Sequence, residues 1–270
     1  MEPIIRIEGL AKTYGEVQAV RGIDLEVQGG EVFALLGPNG AGKTTTIRML
    51  MGILQPSSGR ATIAGLDCAA DRAEIMRQVG YLPDEPIFYD YLRGREILHF
   101  VGQMHGLDRA TIEERCRPLI QRLDLAGDLE EYAVNYSHGM KKKLAVVCAL
   151  LNAPSLLILD EPTNGLDPFA TREVHALIRA HAAGGGSVFL STHLLDQAER
   201  LCTRVGILLD GRLAACGALE ELRKAARQDS SLEEIFFAVA AGAAETGAAA
   251  PNGPGNPSGP SPASPAGSGA

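Results

Sequence analysis

Gly37-Pro38-Asn39-Gly40-Ala41-Gly42-Lys43-Thr44 is the stretch that decides how the rest of this 270-residue chain is interpreted. It fits the pattern Gly-x-x-x-x-Gly-Lys followed by Ser or Thr, and it comes after an apolar run, Val32 to Leu36, that is typical of a buried strand. A loop between a strand and a helix turns successive backbone N–H groups inward and backs them with the positive end of the helix. Lys43 adds a mobile charge for the β- and γ-phosphates, and the Thr44 hydroxyl can hold Mg²⁺. The stretch therefore indicates binding of a nucleoside triphosphate.

Composition narrows the classes of protein to which the chain can belong. Its hydrophobic content of 46% and charged content of 21% are ordinary for a globular protein of one large domain or two small ones. A formal net charge of −8 argues against non-specific nucleic-acid binding, which depends on clustered Lys and Arg. The one basic run in the sequence is Lys141-Lys142-Lys143, which we interpret as a solvated helix face.

Two further patterns concern the location of the chain. Its longest apolar stretches, such as Leu144 to Leu151, are far shorter than the ~20 residues of a membrane-spanning helix, and its N-terminus lacks the apolar run of a signal peptide. Five scattered cysteines without a Cys-x-x-Cys pair argue for reduced thiols, and against zinc or a disulfide framework. We therefore expect a cytosolic chain whose membrane role would come through a partner.

Residues 1–240 alternate short apolar runs with helical patterns, which predicts a sheet covered by helices. Ile4 to Ile7 and Val17 to Val27 alternate in polarity and predict antiparallel strands. Three continuous apolar runs predict central parallel strands: Val32 to Leu36, Leu156 to Leu159 and Val188 to Leu190. The expected fold is therefore an α/β P-loop NTPase core, with a mixed sheet flanked by helices and an antiparallel β subdomain.

Two segments differ from this core. From about residue 81 to 151 the patterns are mostly helical, which predicts a helical subdomain inserted into the core. Within it, Thr111-Ile112-Glu113-Glu114 fits a capping box at the start of a helix, and Pro118 should kink that helix. Residues 241–270 are almost wholly Gly, Ala, Pro, Ser and Asn, so we expect a disordered tail there.

A phosphate loop alone leaves GTPases, kinases, helicases and transport ATPases open, so the residues downstream must decide. Leu156 to Leu159 is followed by Asp160 and Glu161, two carboxylates at the carboxyl end of a predicted strand, where α/β proteins bind ligands. Asp160 can reach Mg²⁺ there, directly or through water, and Glu161 can polarise an attacking water. A strand end capped by charges is the other interpretation. Two carboxylates after four apolar residues, in a chain with a phosphate loop, favour catalysis.

Three further segments complete an ordered set of motifs: Tyr136-Ser137-His138-Gly139-Met140, Pro162 to Pro168, and a strand that ends in Ser191-Thr192-His193. With them, the chain from about Ile4 to Val239 resembles the ATP-binding-cassette (ABC) ATPases, in particular the nucleotide-binding subunits of ABC transporters. The ordered set is far more specific than any single motif.

The resemblance implies that the matching residues surround two ATP molecules in a head-to-tail dimer. Their implied roles are adenine stacking by Tyr14, phosphate binding by Gly37 to Thr44 with Thr45, Mg²⁺ binding near Asp160, general-base catalysis by Glu161, dimer contact by Asp167 and γ-phosphate contact by His193. Ser137 and Gly139 match the signature segment, which in this family closes over the ATP bound by the other subunit. A helix that begins at Ser137 offers free N–H groups and a positive dipole end to a facing phosphate.

Two segments depart from the usual pattern of the family. The signature usually reads Leu-Ser-Gly-Gly-Gln, whereas this chain has His138 at the first glycine and Met140 at the glutamine. The serine and the second glycine remain, so phosphate contact stays feasible. The loop after Gly80 has Asp84 where the family usually places Gln. An oxygen of Asp84 can approach Mg²⁺, but it also brings a negative charge close to the γ-phosphate.

The resemblance implies an ATPase subunit that binds ATP and Mg²⁺ and pairs with a second copy of itself or with a related subunit. It would drive a separate transmembrane permease from the inner face of the cell membrane, and both variant segments are familiar in exporter-like subunits, which favours export. The family receives a permease helix beside residues 84–96, where Ile87 to Leu92 offers aromatic side chains for that contact or for local packing. The alternative is a soluble, non-transport ABC ATPase that uses ATP as a switch, although intact Glu161 and His193 argue against an inactive enzyme.

Overall fold

The computed structural model describes residues 2–226 and 230–247 of the chain. The strands within these residues are β1 (Ile5–Tyr14), β2 (Val17–Val27), β3 (Val32–Leu36), β4 (Ser58–Ile63), β5 (Leu66–Asp67), β6 (Val79–Leu82), β7 (Leu156–Asp160), β8 (Ser187–Thr192), β9 (Arg204–Leu209) and β10 (Arg212–Ala218). The helices are α1 (Lys43–Leu50), α2 (Arg72–Gln78), α3 (Gly94–Met104), α4 (Arg109–Arg122), α5 (His138–Leu151), α6 (Pro168–Ala183), α7 (Leu195–Leu201), α8 (Leu219–Ala226) and α9 (Leu232–Gly247).

These strands form two sheets. The larger sheet has the strand order β10-β9-β3-β8-β7-β6 and is mixed, because β9 and β10 pair antiparallel while its other neighbours pair in parallel. The smaller sheet has the order β2-β1-β4-β5 and is antiparallel. The predicted α/β fold, with a mixed sheet and an antiparallel β subdomain, is confirmed. The three runs predicted as central parallel strands are β3, β7 and β8.

Each face of the larger sheet packs into its own hydrophobic core. In β3, Val32, Ala34 and Leu36 face a core that includes residues of α3 to α7. Phe33 and Leu35 face the opposite core, which they share with residues of β1, β2 and α1. Side chains of a strand alternate between its two faces, and all five residues of β3 are buried. The phosphate loop therefore starts from a strand that is held on both sides.

β6 is a strand of the larger sheet that the sequence pattern does not reveal. It pairs in parallel with β7 at the edge of the sheet. Its four residues include Gly80, and so short a strand carries too little periodicity to be recognised. The helical part of the chain therefore begins after β6, where α3, α4 and α5 pack against one another.

The start of α4 differs from the predicted capping box at Thr111. Asp108 is the N-cap, and its Oδ1 accepts the N–H of Thr111 at 2.8 Å. The prediction was wrong because Asp is as good a cap as Thr, and Asp108 stands where its carboxylate reaches the free N–H groups of the first turn. The helix continues through Pro118 to Arg122, and the kink expected at Pro118 stays a prediction.

The C-terminal helix α9 extends to Gly247, whereas the sequence predicts a disordered tail from residue 241. The reason is that Ala, which dominates residues 240–244, is also the strongest helix former. Leu232 and Ile235 are buried and anchor the helix. The rest of the predicted tail, residues 248–270, lies outside the described residues. Of the helices that are described, none is long and apolar enough to cross a membrane.

Candidate nucleotide-binding site

The predicted phosphate loop connects β3 to α1 at the carboxyl edge of the larger sheet. Two of its glycines are required by close packing: a Cβ on Gly37 would overlap the carbonyl oxygen of Leu208, and one on Gly42 would overlap that of Ala19. Gly42 also has a φ of 104°, in the left-handed region that favours glycine. Because α1 begins at Lys43, the positive end of a helix backs the loop, which suits a bound phosphate.

The side chain of Lys43 folds back across this loop and is almost completely buried. Its Nζ donates hydrogen bonds to the carbonyl oxygen of Gly37 at 2.8 Å and to that of Pro38 at 3.2 Å. The same Nζ lies 3.4 Å from Oε1 of Glu161. The ammonium group therefore stands between the loop and the strand end that carries the predicted base.

Asp160, the predicted Mg²⁺ carboxylate, ends β7 and is buried. The hydroxyl of Ser191 donates a short hydrogen bond to its Oδ1, whereas its Oδ2 has no hydrogen-bond partner in the described part of the chain. Burial raises the pKa of Asp160, and the hydroxyls of Ser191 and Thr44 act in the opposite direction. An unpartnered, buried carboxylate oxygen close to a hydroxyl fits Mg²⁺, which binds through oxygen ligands.

Glu161, the predicted base, follows the end of β7 with a φ of 46°, a conformation that residues other than glycine adopt rarely. Its backbone N–H is held by the carbonyl oxygen of Ser191 at 3.1 Å. Its buried Oε1 lies 3.1 Å from Nδ1 of His193, which follows β8. The two residues predicted to be catalytic thus meet at the carboxyl ends of neighbouring strands.

A cleft of about 160 Å³ opens between the phosphate loop and these carboxylates. Its lining residues come from separate parts of the chain: Ala19, Asn39, Gly40, Gly42, Lys43, Thr44, Thr45, Asp84 and Glu161. The structure therefore brings the predicted phosphate-binding residues together with Asp84 and Glu161, which are distant from them in sequence. Asp84 reaches the cleft from the loop that follows β6.

The signature segment starts α5 and does not line this cleft. Ser137 is exposed and is the N-cap of α5, where its hydroxyl accepts a backbone N–H of the first turn at 3.2 Å. Gly139 lies close to the carbonyl oxygen of Gly165. Asp167 is exposed at the start of α6, and hydrogen bonds from N–H groups of the first turn hold its pKa below the usual value. Within one chain, these three predicted residues are therefore separate from the phosphate loop.

Tyr14, the predicted adenine contact, also lies outside the cleft. It ends β1 with 48% of its surface exposed, so its ring is accessible. The ammonium of Lys12 lies 5.4 Å from the ring centre, a cation–π distance. A ring in this position is free to stack on a planar base.

Lys142 corrects the interpretation of the basic run as a solvated helix face, because it is completely buried. Its Nζ donates a hydrogen bond to the carbonyl oxygen of Asp84 at 2.6 Å, with those of Pro83 and Asp160 both 3.4 Å away. Burial lowers the pKa of Lys142, and the nearby carboxylates oppose that shift. Helical periodicity is the signal that points to it, since Lys142 precedes the buried Ala149 by two turns.

A polar cluster next to the strand end carries no sequence motif. Thr163 donates its hydroxyl to Oε1 of Gln197 at 2.6 Å, and Nε2 of His175 lies 3.2 Å from the same oxygen. The three residues join the loop after Glu161 to α6 and α7. Because these three residues are far apart in sequence and of common types, the sequence does not predict the cluster, which only the folded structure shows.

Comparisons with known proteins found similar sequences and a similar structure. The profile of the ABC transporter family matches residues 20–164. The uncharacterized ABC transporter ATP-binding protein YdbJ of Bacillus subtilis (strain 168) is 40% identical over 215 residues, covering 79% of this chain and 69% of that protein. The daunorubicin resistance ATP-binding protein DrrA3 of Streptomyces coeruleorubidus is 36% identical over 219 residues, covering 81% of this chain and 69% of that protein.

A solved structure is also similar to this chain. The structure of an ATP-binding subunit of an ABC transporter superposes with a TM-score of 0.83 at 34% sequence identity. The match covers 88% of this chain and 99% of the solved one. Both the smaller antiparallel sheet and the larger mixed sheet are thus parts of a fold already seen in the ATP-binding subunit of an ABC transporter.

Proposed function

The chain belongs to the ABC transporter family, and on that premise we propose that it is the ATP-binding and ATP-hydrolysing subunit of an exporter, driving a separate membrane subunit. The observation that carries this proposal is the cleft in which Lys43 and Thr44 of the phosphate loop face Glu161. A cation for the phosphates, a hydroxyl for Mg²⁺ and a carboxylate for the attacking water are the groups that ATP hydrolysis requires.

In the proposed reaction, Glu161 accepts a proton from the water whose oxygen attacks the γ-phosphorus. The bond from that phosphorus to the bridging oxygen breaks, and ADP and phosphate are the products. His193 touches the base through Nδ1 and orients its carboxylate. Lys43, which shares Glu161 Oε1 with His193, supplies positive charge to the β- and γ-phosphates.

Thr44, Asp160 and Asp84 are the proposed ligands of Mg²⁺, directly or through water. Asp160 offers an unpartnered buried Oδ2, and Thr44 and Asp84 both line the cleft. The bound ion supplies charge that neutralises the phosphate oxygens as the reaction proceeds. The contribution of the chain would be to offer these three oxygen ligands to the ion.

The proposed assembly is a head-to-tail dimer with a second copy or a related subunit. Ser137 and Gly139 cannot contribute to the cleft of their own chain, because they begin α5 outside it. The N–H groups at the start of α5 that no cap satisfies suit the phosphates of an ATP bound to the facing subunit. Each site would then be completed only by the partner.

The proposed contact with the membrane subunit lies in the loop after Asp84. Ile87, Tyr89 and Tyr91 are 91%, 70% and 86% exposed there, which is unusual for large apolar side chains close together in sequence. A permease segment that covers them would place the chain on the inner face of the cell membrane. The name of DrrA3, a daunorubicin resistance protein, supports export as the direction.

The proposed ATP-binding domain extends to residue 247 rather than 240, because α9 is continuous across that boundary. The helical subdomain would comprise α3, α4 and α5, which pack on one another between β6 and β7.

The test is affinity purification of the tagged Glu161→Gln variant from detergent-solubilised membranes in the presence of Mg-ATP. In an ATPase assay, this variant should lose roughly 10²-fold or more of its turnover, since the base is removed. It should still bind ATP and form a stable dimer. A protein with several membrane spans should co-purify in stoichiometric amount. The exposed Glu220→Gln serves as the control and should hydrolyse ATP normally.

Two results would contradict this proposal. Normal turnover by Glu161→Gln would remove Glu161 as the base. Co-purification of ribosomal or DNA-repair proteins, or of a dimer with no membrane protein, would favour an ABC ATPase that acts as an ATP-dependent switch without transport.

A further inference from the structure

Lys142 is a buried cation on α5 that the proposed reaction does not use. Its side chain is 0% exposed, although Lys is among the residue types least often buried without a partner. An ammonium group has three N–H donors, and three carbonyl oxygens lie within 3.4 Å of Nζ. Each N–H donor of the Lys142 ammonium group thus has an acceptor, so hydrogen bonds hold Nζ in a defined position.

The three acceptors belong to different parts of the site. Pro83 and Asp84 lie in the loop that follows β6, and Asp160 ends β7. Lys142 itself lies little more than one turn after the signature serine, Ser137, on α5. The ammonium group of Lys142 therefore joins α5, the helix that begins with the signature residues, to the loop after β6 that carries Asp84 (the Asp84 loop). It also joins α5 to β7, the strand that ends in the proposed Mg²⁺ ligand Asp160.

The charge on Lys142 also faces the charge on Asp84. Nζ lies 3.6 Å from Oδ1 of Asp84, and Nδ2 of Asn164 donates a hydrogen bond to the same oxygen at 3.3 Å. Asp84 lines the cleft together with Lys43, Thr44 and other residues of the phosphate loop. An uncompensated carboxylate in that position would repel the phosphates of ATP.

We propose that Lys142 is a positioning residue which fixes the Asp84 loop against α5 and supplies the counter-charge that allows a carboxylate to stand beside bound Mg-ATP. This inference rests on the proposed function, since it assigns Lys142 to the same nucleotide site. A neutral residue at position 84 would need no such partner. Lys142 and Asp84 therefore act as a pair, in which the buried positive charge of Lys142 offsets the negative charge of Asp84 at the cleft.

The competing explanation is that Lys142 is only a satisfied core residue. In that case its replacement would disturb ATP binding through packing, by the same factor whatever residue stands at position 84. If the charge pair matters, the effect of replacing Lys142 must depend on Asp84. A double-mutant cycle separates these cases, because it isolates the interaction from the two single effects.

The experiment compares the wild type, Lys142→Gln, Asp84→Gln and the double variant, with the Kd for Mg-ATP measured by titration calorimetry. Lys142→Gln removes the charge but keeps an N–H donor. We expect it to weaken Mg-ATP binding about tenfold beside Asp84, and less than about threefold in the Asp84→Gln background. Lys142→Arg should keep the wild-type Kd within about threefold, since it keeps the charge, and Lys141→Met is the control from the same helix.

Equal loss of affinity in both backgrounds would overturn the proposal. If Lys142→Gln does not fold, Lys142→Met takes its place in the same cycle. A second measurement, without nucleotide, is the Tm of the four proteins: Asp84→Gln should lower Tm more when Lys142 is present than when it is replaced. Additive Tm shifts would also contradict the pairing of the two charges.

The two proposals fail in distinguishable ways. Absence of Mg-ATP binding by the wild type would refute the proposed function. The Tm values of the four proteins would still measure whether Lys142 and Asp84 are coupled. Normal Mg-ATP binding with additive effects on both Kd and Tm would leave the ATPase intact and refute the role of Lys142 alone.

Discussion

At the scale of single residues, one carboxylate oxygen connects the parts of the site. Oε1 of Glu161 lies 3.4 Å from Nζ of Lys43 and 3.1 Å from Nδ1 of His193. Glu161 holds this place with a φ of 46°, a backbone conformation that costs about 1–3 kcal/mol for such a residue. If Lys43 leaves this contact to serve the phosphates, as we propose, nucleotide binding and release of the proposed base would be linked through one lysine.

We predict that Lys43→Ala weakens Mg-ATP binding by about tenfold or more, because a charge-assisted contact to the phosphates is lost. Titration calorimetry with Mg-ATP measures the change directly. Lys224→Ala, at an exposed position of α8, is the control and should bind with unchanged affinity. Unchanged affinity in Lys43→Ala as well would mean that the loop has another role.

At the scale of secondary-structure elements, β6 approaches α5 so closely at Gly80 that no side chain fits at this position. A Cβ on Gly80 would overlap the carbonyl oxygen of Ala149 on α5 and would also press on Leu157 of β7. The loop that carries Asp84 starts directly after β6. The position of Asp84 beside the phosphate loop therefore depends on this contact between a strand and a helix.

We predict that Gly80→Ala lowers the free energy of unfolding by about 1–3 kcal/mol, since the added methyl group must displace backbone on α5. Gly29→Ala is the matched control, because no atom lies within 4 Å of a Cβ built there. Urea unfolding of both variants measures the difference. Equal stabilities would show that α5 moves away from β6 at little cost.

The N-cap of α4 gives a prediction that depends on pH. The N–H of Thr111 holds the pKa of Asp108 below its usual value, so the carboxylate form is favoured in the folded chain. Its stabilising effect is therefore present above the pKa of the unfolded chain and is lost as the pH falls through the lowered pKa. We expect Asp108→Ala to lower Tm by about 2–4 °C at neutral pH and by less in acid.

Calorimetry across pH checks this effect, with Asp108→Asn as the control, because Asn keeps an oxygen that can cap the helix without a titrating charge. A Tm difference between wild type and Asp108→Ala that stays the same in acid would count against the cap. The ATPase rate should not change, since α4 does not line the cleft.

At the scale of the whole molecule, the larger sheet separates two hydrophobic cores, and the nucleotide cleft lies at its carboxyl edge. One core joins the sheet to the smaller antiparallel sheet, and the other joins it to the helices. Leu232 of α9 belongs to the helical core, so the C-terminal helix is part of the folded unit.

We predict that deletion of residues 248–270 leaves both the ATPase rate and Tm unchanged, because that composition offers little apolar surface to bury. Deletion of residues 232–270 should lower Tm by several degrees, since it also removes the buried Leu232 and Ile235. ATPase assays and calorimetry on the two truncations provide the comparison. A large loss from the shorter deletion would place a function in residues 248–270.

The sequence alone predicts the features that depend only on residues adjacent in the chain. The stretch from Gly37 to Thr44, between a strand and a helix, indicated a phosphate loop, and the apolar runs located β3, β7 and β8. Buried strands and glycine-rich turns are local patterns, because the residues that form them are adjacent in the chain. The same reasoning failed at Thr111, where two good caps stand three residues apart and only the folded helix shows that Asp108 is used.

Tertiary structure alone decided which residues meet. The sequence interpretation placed Lys141, Lys142 and Lys143 together on a solvated helix face, yet Lys142 is buried against Asp84 and Asp160. Burial depends on which face of α5 docks on the sheet, and that is set by packing between residues far apart in the chain. The roles of individual site residues stay predictions. Their convergence at one sheet edge follows from parallel strands, whose carboxyl ends the fold must bring together.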